Sequence, residues 1–312
     1  MPDEKTDKKD IIPVILMMFL FLIIYGLVLA LTNPFVEEGG ISSAFEDIND
    51  PLNIVYILLI MLVFTVFILL IAKYWKEKLI QFIIIGAVGY TSFFAFFLPL
   101  FTVSFSFLAY EILIFFSFIC AVVLVVALYK FPEWYIIDIT GIIIGVGAII
   151  IFGISLGVTL VVILLVALAI YDAISVYKTK HMIDLADTVM DLKLPVLLVI
   201  PKTWNYSLIK ETKRLKQKLE ENEERDAFFL GLGDIVMPGI LVAAAYNNIA
   251  DGLPVAIGII IGTLVGFSIL MTYVMKGKPQ AGLPLLCSGA ITGYIISSLV
   301  FFGELRGLTL GF

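Results

Sequence analysis

The sequence predicts an all-α polytopic membrane protein with nine transmembrane helices, the N-terminus cytoplasmic and the C-terminus outside. Three observations carry this reading. Of the 312 residues 61% are hydrophobic, and mean hydropathy is +1.10, far outside the range of soluble domains. Nine apolar runs of membrane-spanning length follow one another along the chain. Threading those runs through a bilayer puts nearly every basic residue on one side.

The first ten residues are polar and charged, and 11–32 form an apolar run long enough to cross a hydrocarbon core of about 30 Å. The run exceeds a cleaved signal core, so it reads as a retained first helix. An acidic stretch, 33–51, follows with Glu37, Glu38, Glu46, Asp47 and Asp50 and no Lys or Arg. The further spans are 52–71, 79–101, 105–128, 134–153, 156–175, 227–246, 254–275 and 283–302. With the N-terminus inside, Lys5, Lys8, Lys9, Lys73, Lys76, Lys78, Lys130, the basic residues from Lys178 to Arg225, Lys276 and Lys278 are all cytoplasmic, and only Arg306 is outside. The chain reads as one membrane domain: helices one to six over 1–175, a cytoplasmic loop over 176–226, and helices seven to nine over 227–312.

Composition also excludes whole classes of function. A net charge of -6 and the lack of a basic patch interleaved with aromatics argue against nucleic acid as a partner. Cys120 and Cys287 lie far apart in apolar runs and support neither a disulfide frame nor a thiolate metal site. The single histidine, His181, lies in a polar stretch, so an HExxH zinc site and a serine–histidine dyad at membrane depth are both out of reach. No cofactor-binding motif is visible.

The loop has three parts. Residues 176–193, with His181, Asp184, Asp187 and Asp191, fit a short amphipathic helix, and 210–226 is densely charged and fits a solvated segment. Between them, Leu194-Pro195-Val196-Leu197-Leu198-Val199-Ile200-Pro201 is too short to span. It reads either as a buried or membrane-resting linker or as an edge strand that an extended peptide could join.

Two acids stand out. Asp172 follows Tyr171 near the end of the sixth span, and Asp234 lies in the seventh, about seven residues and roughly 10 Å from its cytoplasmic end at 1.5 Å per residue. An unpaired carboxylate at membrane depth costs at least ~2.5 to 3.5 kcal/mol. Consecutive helices run antiparallel, so the two acids fall at similar depth and can meet. Two carboxyl groups together in a low dielectric do not both ionise readily, so the pair shares a proton. An ionised partner can then take a proton from water while the protonated one polarises a scissile carbonyl. Gly231 and Gly233 flank Leu232 just before Asp234 and leave room for another backbone. From the residues alone, an ion-coupled transporter or leak channel drawing on Glu111 and Asp138 as well, a prepilin-type peptidase and a catalytically silent scaffold stay open.

Tyr171-Asp172 and Gly231-Leu232-Gly233-Asp234 resemble the paired YD and GxGD motifs of the presenilin and signal peptide peptidase family of intramembrane aspartyl proteases. The resemblance covers nine spans, a cytoplasmic N-terminus, a hydrophilic loop between the acid-bearing helices and a proline-containing start to helix nine. Within the family it most resembles an archaeal presenilin homologue, which implies a multi-pass integral membrane protein, of the cell membrane if archaeal. It implies that Asp172 and Asp234 are the catalytic aspartates, that Tyr171 lines the site, and that the substrates are transmembrane helices reached through the lipid bilayer. In one departure, the family's Pro-Ala-Leu is matched here by Ala281-Gly282-Leu283, followed by Pro284. Gly282 and Pro284 are expected to specify a non-helical start to helix nine whose backbone groups, together with 194–200, hold an opened substrate strand.

Overall fold

The computed structural model describes residues 8–37, 42–74, 77–104, 110–176, 197–203, 206–207, 227–275 and 280–308. Among them are nine helices and two strands: α1 (Lys8–Glu37), α2 (Leu52–Tyr74), α3 (Glu77–Ser104), α4 (Tyr110–Lys130), α5 (Trp134–Ser155), α6 (Val158–Ile174), β1 (Leu197–Pro201), β2 (Ala227–Gly231), α7 (Leu232–Asn248), α8 (Leu253–Met275) and α9 (Gly282–Phe302). Segments of α1, α4, α5, α8 and α9 are long and apolar enough to cross a membrane. Helix α6 is a shorter apolar helix, Val158–Ile174, and α2 and α3 carry apolar stretches over Leu52–Phe64 and Phe82–Phe97. His181 with its neighbouring acids, Val196 and the charged stretch 210–226 lie outside the described residues.

Helix α7 is the axis of the bundle. From Ile235 to Ala245 it is apolar on every face, the pattern of a helix with no solvent side, and Ile235 and every residue from Pro238 to Ala245 are buried. Around it stand α5, α8, α6, α1 and α9. Small residues permit this crowding. A methyl group at Gly239 would stand 2.6 Å from Ile149 Cδ1 and 2.9 Å from Tyr25 Cε1, and one at Gly153 would overlap Ala243. Helices α8 and α9 interlock in the same way, since a Cβ at Gly262 would overlap the carbonyl of Gly289 and one at Gly293 that of Gly258. These contacts fix the height at which α9 begins.

The bundle end remote from the acids is held by the acidic connection. The Gly157 N–H donates to Ile48 O at 2.8 Å, and the Ala44 N–H to Ser155 Oγ at 2.9 Å, which ties residues 42–51 to the α5–α6 turn.

One expected span begins differently. Residues 227–231 are not the first turns of helix seven but strand β2, paired antiparallel with β1 from Leu197↔Gly231 to Pro201↔Ala227. Gly231 is the extended cap residue (φ −60°, ψ 131°), and helix starts at Leu232. Asp234 is therefore in the first turn of α7, not two turns inside it. The apolar, aromatic run Phe228-Phe229-Leu230 suits a half-buried strand as well as a helix, and pairing with the Leu197–Pro201 strand decides the outcome.

Candidate active site

Three chain ends and the β1–β2 ladder converge on the two acids. Asp172 lies in the last turn of α6 and Asp234 in the first turn of α7; both are half-buried. The third contributor is the N-terminus of α9. Its cap, Ala281, is fully buried and extended (φ −68°, ψ 127°), and the helix runs from Gly282. The expected non-helical start is thus confined to Ala281, because Gly282, Leu283 and Pro284 occupy the first turn, where proline's missing N–H costs no helical bond.

First-turn amides of a helix have no acceptor within it. The Leu283 N–H finds one in Asp172 Oδ2, at 3.2 Å. The adjoining residue meets the other acid: a Cβ at Gly282 would stand 2.9 Å from Asp234 Oδ2 and 3.2 Å from its Cγ. Adjacent residues of α9 therefore touch the two carboxyl groups, and both acids face the positive end of the α9 dipole. Here the departure from Pro-Ala-Leu acquires a physical meaning, since the glycine leaves Asp234 the space an alanine methyl would take.

The other expected lining residues separate into groups. Gly233 is exposed with nothing within 4 Å of where its Cβ would be, so the approach to Asp234 past this residue is open. At Gly231 the same construction meets Asp234 Oδ2 at 3.4 Å. Leu232 turns to α5, its Cδ1 lying 3.3 Å from the Cβ position of Gly145. Its contact is with the scaffold. The Tyr171 side chain is 71% exposed, outside the packed interior.

Two contacts had no signature in the sequence. Asp138, buried in the second turn of α5, accepts the Val199 N–H of β1 at 2.8 Å. Tyr25 of α1, fully buried, donates its hydroxyl to Ile235 O at 2.9 Å, next to Asp234. Pro238 removes the amide that would bond the Asp234 carbonyl, so α7 is weakened where the acid sits, and Tyr25 braces that turn. Replacing Tyr25 with Phe is expected to cost about 1 kcal/mol of stability in a denaturation series, the value of one buried hydrogen bond. It should also lower kcat severalfold with little change in KM. A Tyr25→Phe enzyme with full kcat would show that the brace does not reach the acid.

Among the described residues no group of three or more His, Cys, Asp or Glu side chains could hold a metal ion. What the arrangement offers is a pair of carboxyl groups, a helix N-terminus and an open approach.

Comparison with known proteins points to the family that the sequence motifs resemble. The family described as signal-peptide peptidase, presenilin aspartyl protease matches residues 18–303. No curated protein sequence matches the chain. Among solved structures, a presenilin family intramembrane aspartate protease in a C222 crystal form is similar at 30% identity and a TM-score of 0.68, covering 92% of this chain and 99% of that one. One in a P2 crystal form is similar at 30% identity and a TM-score of 0.66, covering 91% and 96%. The transporter and prepilin-type readings find no support in these matches. With the family model spanning nearly the whole sequence and the fold shared over nine-tenths of its length, the chain belongs to the signal-peptide peptidase and presenilin family of intramembrane aspartyl proteases.

Proposed function

We propose that Asp172 and Asp234 form the catalytic dyad and hydrolyse a peptide bond in a transmembrane helix that enters laterally and opens near the cytoplasmic face. The observation that carries this reading is the convergence of both carboxyl groups on Gly282-Leu283. In the reaction, Asp172, which accepts the Leu283 amide, acts as the carboxylate that takes a proton from water. The water oxygen bonds to the scissile carbonyl carbon while Asp234, carrying the shared proton, donates to the carbonyl oxygen. The tetrahedral intermediate collapses as the amide nitrogen is protonated and the C–N bond breaks, which returns one proton to the pair.

The membrane topology follows the basic-residue count: nine spans, the N-terminus and the 176–226 loop cytoplasmic, and the C-terminus outside. The acids lie at the loop side of that arrangement.

A helical substrate hides its carbonyls in its own hydrogen bonds, so it must be opened and held. Strand β2 is suited to hold it. Since the Val199 N–H turns away from β2 to Asp138, the pleat directs the groups of Leu198 and Ile200 to β2 and, by the same register, those of Ala227, Phe229 and Gly231 away from β1. A strand added along Phe229 and Gly231 leads directly past Gly233 to Asp234. Replacing Phe229 with Pro removes an outward donor without touching the β1–β2 ladder. It should lower cleavage of a membrane-spanning peptide up to about tenfold, as expected for loss of one backbone hydrogen bond, and leave the affinity for a small dyad-directed alcohol unchanged. Equal loss of both would contradict strand addition at β2.

The function itself is tested by reconstituting the protein in lipid with a labelled single-span peptide. Cleavage within the peptide's membrane segment, on the side of the 176–226 loop, is the expected result. Cleavage confined to soluble peptides would contradict it.

A further inference from the structure

The turn that carries Asp234 is not fixed by its own helix. Pro238 takes away the amide that would bond the Asp234 carbonyl, and the packed part of α7 begins only at Ile235. Something outside the helix must hold this turn from both sides. On the C-terminal side Tyr25 holds the Ile235 carbonyl. On the N-terminal side the hold is the β1–β2 ladder, whose last rung pairs Leu197 with Gly231, the residue that caps α7 and whose Cβ position lies 3.4 Å from Asp234 Oδ2.

The ladder in turn is fastened to α5. Apolar contacts seat it: Leu198, Val199 and Ile200 are buried, and Phe229 and Tyr206 pack against the cluster of Val88, Leu128 and Ile137. Such contacts have no direction and set how close the sheet lies to α5, whereas a hydrogen bond sets its position along the strand. Asp138 supplies that bond. It is a buried acid in an apolar helix that the reaction does not use, where a hydrocarbon side chain would be the ordinary occupant. Its Oδ1 accepts the Val199 N–H at 2.8 Å, on the edge of β1 away from β2. A second carboxylate at the same end of α5, Glu133, accepts the Ser207 hydroxyl beyond the end of β1, at 2.6 Å.

We infer that Asp138 is a positioning residue for Asp234, a role that rests on the dyad proposed above and not on how the substrate is held. By setting β1 along α5 it sets β2, the Gly231 cap and, through the cap, the first turn of α7. When the bond is lost, packing keeps the sheet against α5 but no longer at one height, and the Asp234 carboxyl group drifts relative to Asp172 and Gly282. Catalysis then suffers while binding of the substrate helix does not.

The test is to count the working sites of each variant by titration with a small dyad-directed alcohol and to express kcat per titrated site. Asp138→Leu keeps the bulk of the side chain, suits a membrane helix and removes the acceptor. It should lower kcat per site by about ten- to a hundredfold, the range for a reacting group displaced by up to about 1 Å, and leave KM for a single-span peptide within about twofold. Asp138→Asn, which keeps an oxygen for the Val199 N–H, should hold kcat per site within about threefold of the wild type. A residue needed only for folding would reduce the number of sites and leave kcat per site unchanged, and that result would overturn the role, as would equal losses in Asp138→Asn and Asp138→Leu. If Asp138→Leu gives no titratable sites, Asp138→Ala is read in the same way, and absence of sites from both would assign Asp138 to folding alone and overturn it too. Asp172→Asn and Asp234→Asn separate this role from the dyad. If either cuts the peptide at near the wild-type rate, the dyad itself fails. If both are inactive while Asp138→Leu turns over normally at each site, only the positioning role fails.

Discussion

Asp172→Asn and Asp234→Asn are each expected to abolish peptide hydrolysis, lowering kcat by about 10³- to 10⁴-fold or to the limit of detection. Asparagine keeps the shape of the side chain but cannot take up or release the proton that the pair exchanges with water and substrate. The Leu283 amide can still donate to the side-chain oxygen at position 172, so Asp172→Asn should remain folded, with α9 seated as before. Because one proton is shared, neither residue is a partial contributor: each substitution should remove as much activity as both together. Loss at one position with substantial residual activity at the other would mean that one acid supports the structure only.

The second large effect concerns a residue with no side chain. Gly282→Val should lower kcat about 100-fold, the order expected when a reacting group is displaced by about 1 Å. A Cβ at this position already falls 2.9 Å from Asp234 Oδ2 and 3.4 Å from Oδ1, and valine adds two methyl groups. The short Asp234 side chain has to turn away from Asp172 to make room. Gly282→Ala should cost only severalfold, since rotation of the carboxyl group by a few tenths of an ångström relieves a single methyl. Gly282→Val should also weaken binding of a small dyad-directed alcohol, unlike Phe229→Pro, because it disturbs the acids and leaves the strand intact. Near-normal kcat in Gly282→Val would show that Asp234 is not held against α9 in the working enzyme.

The features legible in the sequence are those written in composition and local chemistry. Long apolar runs with unpaired acids inside them have few physical solutions, so Asp172 and Asp234 stood out before any coordinate was known, and their antiparallel helices brought them to one end. The Leu197–Pro201 strand was half legible, because a β-branched run bounded by prolines resists a helical reading. Its partner was not. Ala227–Gly231 joins α7 without a polar break, and an apolar run alone does not reveal whether five residues pair with another strand or continue a helix. The consequences of that ambiguity spread to the depth of Asp234, which is in the first turn of its helix.

Contacts made across the fold left no trace in the chain. Asp138 reaches a strand amide 61 positions away, and the Tyr25 hydroxyl reaches a carbonyl 210 positions away. An acid one turn inside a helix is compatible with an interfacial role and a tyrosine inside an apolar helix with plain packing, so nothing local marked their partners. Gly282 is the opposite case. It was conspicuous as a departure from the family's Pro-Ala-Leu, but its reason lay in the Asp234 carboxyl group beside it.

Whether the carboxyl groups on α6 and α7 act as a single unit is read by a double-mutant cycle on the binding of a peptide whose scissile amide is replaced by a secondary alcohol. That hydroxyl occupies the place of the activated water and needs both carboxyl groups at once. Asp172→Ala, Asp234→Ala and the double variant are expected to lose the same affinity within error. Independent losses that add in the double variant would contradict joint action.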